Sequence, residues 1–141
     1  MSEVGTPPPG ARHFGTEQAR RCVDRYIDAW NEPLADRRGQ ILSQVMTDES
    51  RYVDPNRELD SRAGLVEYIG EVLNQAPGRR ILRTSEVDAH HLHGRFNWCL
   101  VHADGTRAPE SVDFIEFATD GRIHRVTGFF GPLTPSEAPK R

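Results

Sequence analysis

Pro109-Glu110-Ser111-Val112-Asp113-Phe114-Ile115-Glu116-Phe117 is the stretch on which the reading of this chain turns. Side chains alternate along a strand, so Ser111, Asp113 and Ile115 share one face while Val112 and Phe114 take the other. Apolar neighbours on both sides predict a strand covered on both faces, an uncommon setting for the carboxyl of Asp113. Desolvating a lone charge is costly, so a buried Asp113 must be paired, hydrogen-bonded or neutral.

Working outward, the alternating period extends over everything after Arg80. It predicts strands over Ile81–His90, Arg95–Val101, Thr106–Ala118 and Arg122–Phe130. Asp104-Gly105 and Asp120-Gly121 are two-residue hairpin signals, and Gly94 marks the first turn. Upstream the period is helical. Thr16 is expected to cap a helix running to about Asn31, with Ala19, Val23, Tyr26, Ile27 and Trp30 on one stripe. Pro33 suits the start of a second helix carrying Leu34, Ile41, Leu42, Val45 and Met46. Arg51–Asp54 reads as a short strand in which Tyr52 and Asp54 point the same way, ended by Pro55. Asp60 or Ser61 caps a third helix bearing Leu65, Tyr68, Ile69, Val72 and Leu73, which Ala76-Pro77-Gly78 stops.

These elements predict an α+β domain of three N-terminal helices packed on a strongly curved antiparallel sheet that encloses a pocket. Alternation proposes Phe96, Trp98, Leu100, Ser111, Asp113, Val126, Gly128 and Phe130 as its lining. The domain is expected over residues 16–132. Residues 1–15, with Pro7-Pro8-Pro9-Gly10, read as a disordered leader, and residues 133–141 as a disordered tail.

Composition narrows the function. The 141 residues hold 18 basic and 21 acidic side chains, a formal net charge of −3. Arg20-Arg21, Arg37-Arg38 and Arg79-Arg80 are isolated pairs and form no basic stripe, so nucleic acid is not an expected partner. Cys22 and Cys99 match no zinc or redox spacing and read as reduced packing residues. Neither a signal peptide nor an apolar run of ~20 residues is visible, so no membrane partner is expected and a cytoplasmic location is. His90, His91 and His93 invite a metal reading, but Gly94 assigns them to a turn and no carboxylate or cysteine stands at a ligand spacing. No metal and no cofactor is expected.

With those residues in view, the chain resembles the SnoaL-like, nuclear transport factor 2-like superfamily of cone-shaped α+β domains. The resemblance covers about Glu17 to Pro132. It rests on Tyr52-Val53-Asp54-Pro55-Asn56, on Ser111-Val112-Asp113-Phe114, and on Asp120-Gly121-Arg122-Ile123 leading to Gly128-Phe129-Phe130-Gly131-Pro132. The superfamily includes isomerases, cyclases, dehydratases, epoxide hydrolases and non-enzymes, so the fold does not choose among them. Val23-Asp24-Arg25-Tyr26-Ile27-Asp28-Ala29-Trp30-Asn31 is similar to the first helix of ketosteroid isomerases. That similarity implies an oxyanion-binding role for Tyr26, a proton-shuttling base in Asp54 and a second oxyanion donor in protonated Asp113. Trp98 and Pro109 stand where those enzymes have smaller aliphatic residues, which narrows the room for a steroid.

The chemistry also follows from residue types. Moving a proton next to a carbonyl needs a base on one side of the substrate and hydrogen-bond donors at the carbonyl oxygen. Tyr26 is a donor at neutral pH, and Asp113 is one while protonated. Each residue has a structural alternative. Asp54 could bond the turn after Pro55, Asp113 could pair a buried polar group such as Tyr26, and Tyr26 could pack in the core. An epoxide-hydrolase arrangement is disfavoured, because Arg95 has the wrong parity and Gly128 supplies no carboxylate. The expectation is a cofactor-independent isomerase- or cyclase-like enzyme acting on a small apolar carbonyl compound, with a non-catalytic ligand-binding protein as the alternative. Trp30, Tyr52 and Tyr68 complete the expected substrate-binding set. The outer sheet face, with Val112, Phe114 and Cys99, is expected to pair with a second copy.

Overall fold

The computed structural model describes residues 15–137. The leader assigned above therefore falls, apart from Gly15, outside the described residues. So do residues 138–141 of the tail; residues 133–137 carry no helix or strand and are exposed.

Three helices come first. Helix α1 (Thr16–Trp30) buries Ala19, Val23, Tyr26, Ile27 and Ala29, the stripe its spacing dictates. Gly15, not Thr16, occupies its N-cap position and makes no side-chain cap. Helix α2 (Ala35–Val45) begins two residues beyond Pro33 and buries Ile41, Leu42 and Val45. Met46, assigned above to this helix, is instead the first residue of a strand. Helix α3 (Arg62–Gln75) starts at Ser61, whose hydroxyl accepts from the Gly64 amide at 3.0 Å. Arg38 is buried between α2 and α3, donating to the carbonyls of Glu32, Pro33 and Val66. A Cβ on Gly70 would come within 3.1 Å of its Nη1, so the missing side chain leaves the guanidinium room.

The sheet is seven-stranded, mostly antiparallel and not closed. Its members are β1 (Met46–Asp54), β2 (Arg57–Leu59), β3 (Arg80–Arg83), β4 (Asp88–His90), β5 (His93–Val101), β6 (Ser111–Phe117) and β7 (Ile123–Phe129). The order is β2-β1-β7-β6-β5-β3, with β4 pairing β5. Two features correct the wholly antiparallel sheet expected above. Strand β1 is longer than Arg51–Asp54 and pairs parallel with β7, and a short hairpin partner, β2, follows Pro55.

The long strand expected over Ile81–His90 is broken into β3 and β4. At the break the ladder is continued by a side chain: the Asn97 amide donates to Ser85 Oγ at 2.8 Å, where a backbone carbonyl would otherwise serve. The turn before β5 is at His91-Leu92, with His91 at φ 52°, and Gly94 lies inside β5 opposite Ala89. Strand β6 starts at Ser111, not Thr106, consistent with Pro109 lacking a ladder donor. Gly105 and Gly121 do sit at positive φ in the two expected turns.

Helix and sheet faces share one core, which includes Val23, Leu42, Met46, Leu65, Ile69, Ile115, Ile123 and Val126. Strand β6 buries Ser111, Asp113, Ile115 and Phe117 on its inner face while Phe114 is exposed outside, so it is fully covered on one face only. Among the described residues no helix is long and apolar enough to cross a membrane.

Candidate functional site

A cavity of about 320 Å³ lies between α1, α3 and the inner faces of β5 and β6. That is enough for a small organic molecule. Tyr26 and Trp30 reach it from α1, Tyr52 from β1, Tyr68 and Val72 from α3, Phe96, Trp98 and Leu100 from β5, and Ser111 and Asp113 from β6. Phe130 closes part of the wall, edge-on to Trp98 with ring centroids 5.9 Å apart. The lining expected from alternation is therefore present except for Val126 and Gly128. Val126 is wholly buried in the core and does not reach the cavity. Gly128 is absent from the wall as well, but it matters beneath it. A Cβ there would sit 2.7 Å from Asp113 Oδ1 and 3.7 Å from the Cβ of Asp54, so Gly128 leaves the Asp113 carboxyl its room.

Asp113 is a buried carboxyl on an aromatic and aliphatic wall. Its Oδ1 accepts the indole N–H of Trp98 at 2.9 Å. Burial pushes its pKa up to about 7; the Trp98 bond pulls it back and the charge of Asp54 adds to the rise. A carboxyl of this kind is substantially protonated at neutral pH and can donate a hydrogen bond.

Tyr26 is buried, and its hydroxyl proton has no acceptor among the described residues. Burial raises its pKa well above that of an ordinary tyrosine, the charge of Asp113 adds to this, and the Trp30 indole opposes it. The hydroxyl keeps its proton and has no acceptor among the described residues to give it to. The structural alternative, in which Asp113 pairs a polar group in the core, is met by the Trp98 indole and not by Tyr26.

Asp54 has a different setting. Its Oδ2 accepts from the Tyr52 hydroxyl at 2.6 Å and from the Tyr68 hydroxyl at 3.0 Å. Its Oδ1 accepts the amides of Asn56 at 2.7 Å and Arg57 at 3.0 Å, fastening the turn that Pro55 begins. The carboxylate stands behind the wall, and its two tyrosine donors line the cavity in its place. Those rings form a cage with Trp30, with centroids 5.8 to 5.9 Å apart. Burial raises Tyr68 to about 12, reinforced by Asp54. Tyr52 is raised further, again chiefly by burial.

Pattern reading missed Asn56 and Arg79 on the wall. Both follow turn residues (Pro55 and Gly78), where no period assigns a side chain to a face. The histidines lie elsewhere, on the β4–β5 hairpin, with His90 and His91 Nδ1 atoms 3.2 Å apart. Among the described residues no group of three or more His, Cys, Asp or Glu side chains could hold a metal ion. Both cysteines are free; Cys99 is buried and so does not belong to the exposed outer face.

No family model matches the chain, and no curated protein matches it. Solved structures do. A protein of Agrobacterium tumefaciens str. C58, provisionally assigned as an isomerase of the SnoaL-like family, is 31% identical over 80% of this chain and 97% of its own, with a TM-score of 0.76. A protein of Kribbella flavida DSM 17836, provisionally assigned as a ketosteroid isomerase, is 24% identical over 89% of this chain and 85% of its own, with a TM-score of 0.63. A provisional SnoaL-like polyketide cyclase of Jannaschia sp. CCS1 is 16% identical over 89% and 90% of the two chains, with a TM-score of 0.65. The last two likenesses speak for the fold alone.

Proposed function

This chain belongs to the SnoaL-like family of the nuclear transport factor 2-like superfamily, and from that premise we propose that it is a cofactor-independent acid/base enzyme of the isomerase or cyclase kind. Its substrate is a small, mostly apolar carbonyl compound that enters the cavity between the helices and the inner sheet face. The observation that carries this reading is the pairing of two donors on one apolar wall. They are a carboxyl raised to about 7, Asp113, and a buried hydroxyl whose proton has no acceptor among the described residues, Tyr26. A carbonyl oxygen placed between them would receive both hydrogen bonds, and these strengthen as charge develops on it.

The proton removed next to the carbonyl goes to Asp54. The tyrosine hydroxyls shield that carboxylate, so the transfer is relayed: Tyr52 or Tyr68 takes the proton on its oxygen as its own passes to Asp54. Reversal at another carbon completes an isomerisation; attack of the enolate on a second carbonyl, whose oxygen takes the proton back from Asp54 through the same relay, completes a cyclisation. A screen of enones, small ketosteroids and polyketide-like ketones, followed by ultraviolet absorbance, tests the proposal. Conversion should be found and should fall by roughly a hundred- to a thousandfold in Asp113→Leu.

The four donors on Asp54 favour a second reading, a non-catalytic ligand-binding protein in which Asp54 only braces the cage and the turn. Ligands that bind in the screen without any being converted would select it. On either reading we propose that a second copy covers the outer sheet face. Phe114 and Phe129 stack edge-on there at 6.0 Å, both exposed, beside the mixed charges of Arg95, Glu116 and Arg125 that a two-fold axis could pair.

A further inference from the structure

Four buried side-chain polar atoms lack a hydrogen-bond partner among the described residues, on Tyr26, Ser50, Arg79 and Thr84. Two of them belong to residues of the cavity wall: the Tyr26 hydroxyl, already assigned to a carbonyl oxygen, and Nε of Arg79. Buried donors are paired in nearly all proteins, so the unpaired Nε leaves the guanidinium of this cavity-wall residue with hydrogen-bonding capacity unspent.

Arg79 sits in the short connection from α3 to β3, where Gly78 takes φ 87°. Its Nη2 donates to the Val72 carbonyl at 2.9 Å, which serves the last turn of α3. That bond uses one guanidinium hydrogen and leaves Nε–H unsatisfied. No carboxylate among the described residues lies within ion-pair distance of Arg79, whereas Arg57, Arg62, Arg83, Arg95 and Arg122 each have one. The charge is thus uncompensated on a wall that is otherwise aromatic, aliphatic or neutral apart from Asp113. The two groups stand at different levels of the cavity. Asp113 lies opposite Phe96 of β5, whereas Arg80, the residue after Arg79, lies opposite Val101 at the far end of that strand.

We propose that Arg79 is a specificity-determining residue for an anionic group on the substrate, a carboxylate, making the ligand an apolar keto acid held at two points. The guanidinium hydrogens not taken by the Val72 carbonyl are the donors a carboxylate in the cavity would use. The carbonyl end lies at Tyr26 and Asp113, and the carboxylate end at Arg79. This rests on the reading of the cavity as the site of a carbonyl compound, and adds a requirement that reading does not make.

The test is binding, without turnover. The probes are 6-oxo-6-phenylhexanoic acid and its primary amide, which match in shape and differ in charge, titrated by calorimetry at pH 6, where the acid is ionised and Asp113 is still protonated. The acid should bind the wild-type protein at least about tenfold more tightly than the amide, a difference of ~1.4 kcal/mol. Arg79→Met should abolish that preference, weakening the acid by far more than the amide. Arg79→Lys should keep part of it, and Arg80→Met, at the exposed neighbouring position, all of it. Equal affinities for acid and amide, no binding of the acid, or a preference that survives Arg79→Met would overturn the proposal. A protein that shows the preference yet converts no ketone would remove the catalytic reading and leave this one standing.

Discussion

Asp113 and Gly128 face each other across the β6–β7 pair so closely that a Cβ on Gly128 would stand 2.7 Å from Asp113 Oδ1. No carbon and carboxyl oxygen tolerate that separation. The oxygen concerned is also the one that accepts the Trp98 indole N–H. Gly128→Ala should therefore push the carboxyl off its bond with Trp98 while leaving the strand pairing in place. Expected are a tenfold or greater loss of turnover and a shift in tryptophan fluorescence, with far-ultraviolet circular dichroism unchanged. An alanine variant with wild-type fluorescence and rate would show that the Asp113 position is not tightly held.

A carboxyl whose folded pKa is raised subtracts from stability as pH rises. Below about 4 Asp113 is protonated in both the folded and unfolded chains and contributes no difference. Between there and about 7 the unfolded chain ionises first, so folding loses ground, up to roughly 4 kcal/mol for a shift of this size. Asp113→Asn removes the titration and should be more stable than wild type at pH 8. Urea unfolding across pH 4 to 8.5 reads the difference between the two proteins. The difference should widen with pH and level off above about 7; a gap that stays constant would contradict the raised pKa.

Activity should carry the same signature with the same sign. The proposed donor is the protonated form of Asp113, present below its pKa, so kcat/KM should fall as pH rises through about 7. The side-chain amide of the Asp113→Asn variant donates at every pH, so the falling limb should vanish even though the rate is lower. A limb that persists in the variant would assign the titration to another group.

Asp54 joins Tyr52, Tyr68 and two backbone amides, so its replacement should be felt in both fold and chemistry. Asp54→Asn should lower stability by about 1–3 kcal/mol, because an amide cannot accept at both ends. It should also abolish turnover if Asp54 is the terminal proton acceptor. Tyr52→Phe and Tyr68→Phe each remove one relay, and the slower variant identifies the route. Conversion at wild-type rate in Asp54→Asn would sink the relay.

The outer face offers a simple check of assembly. Light scattering at micromolar concentration should give a dimer, and Phe114→Glu should give a folded monomer with the cavity intact. A wild-type protein that is already monomeric would dispose of the pairing.

Much of this architecture was legible in one dimension because periodicity reports which face a side chain takes. Alternation through Phe96-Asn97-Trp98 and Ser111-Val112-Asp113 placed Trp98 and Asp113 on the same inner face, where the cavity lies. Helical spacing did the same for Tyr26, and a hydroxyl at Ser61 and a glycine at Gly121 marked a helix start and a turn by local chemistry alone. The period failed where local and tertiary demands diverge. Ser85 replaces a backbone acceptor in the middle of an alternating run, and Met46 obeys the helical stripe yet begins β1.

What the sequence by itself determined, then, is the faces: helices then sheet, Asp113 inward, Phe114 outward. Only the tertiary structure decided the partners. Tyr68 reaches Asp54 from 14 residues away, Trp98 reaches Asp113 from 15, and β1 lies parallel to β7 across most of the chain. The same packing leaves the Tyr26 hydroxyl and Arg79 Nε without partners among the described residues, and it lifts Asp113 to about 7. The physical reason is that a side chain's orientation is fixed by the dihedral angles of its own segment. Its hydrogen-bond partners and its loss of water are set by whatever the rest of the chain brings against it.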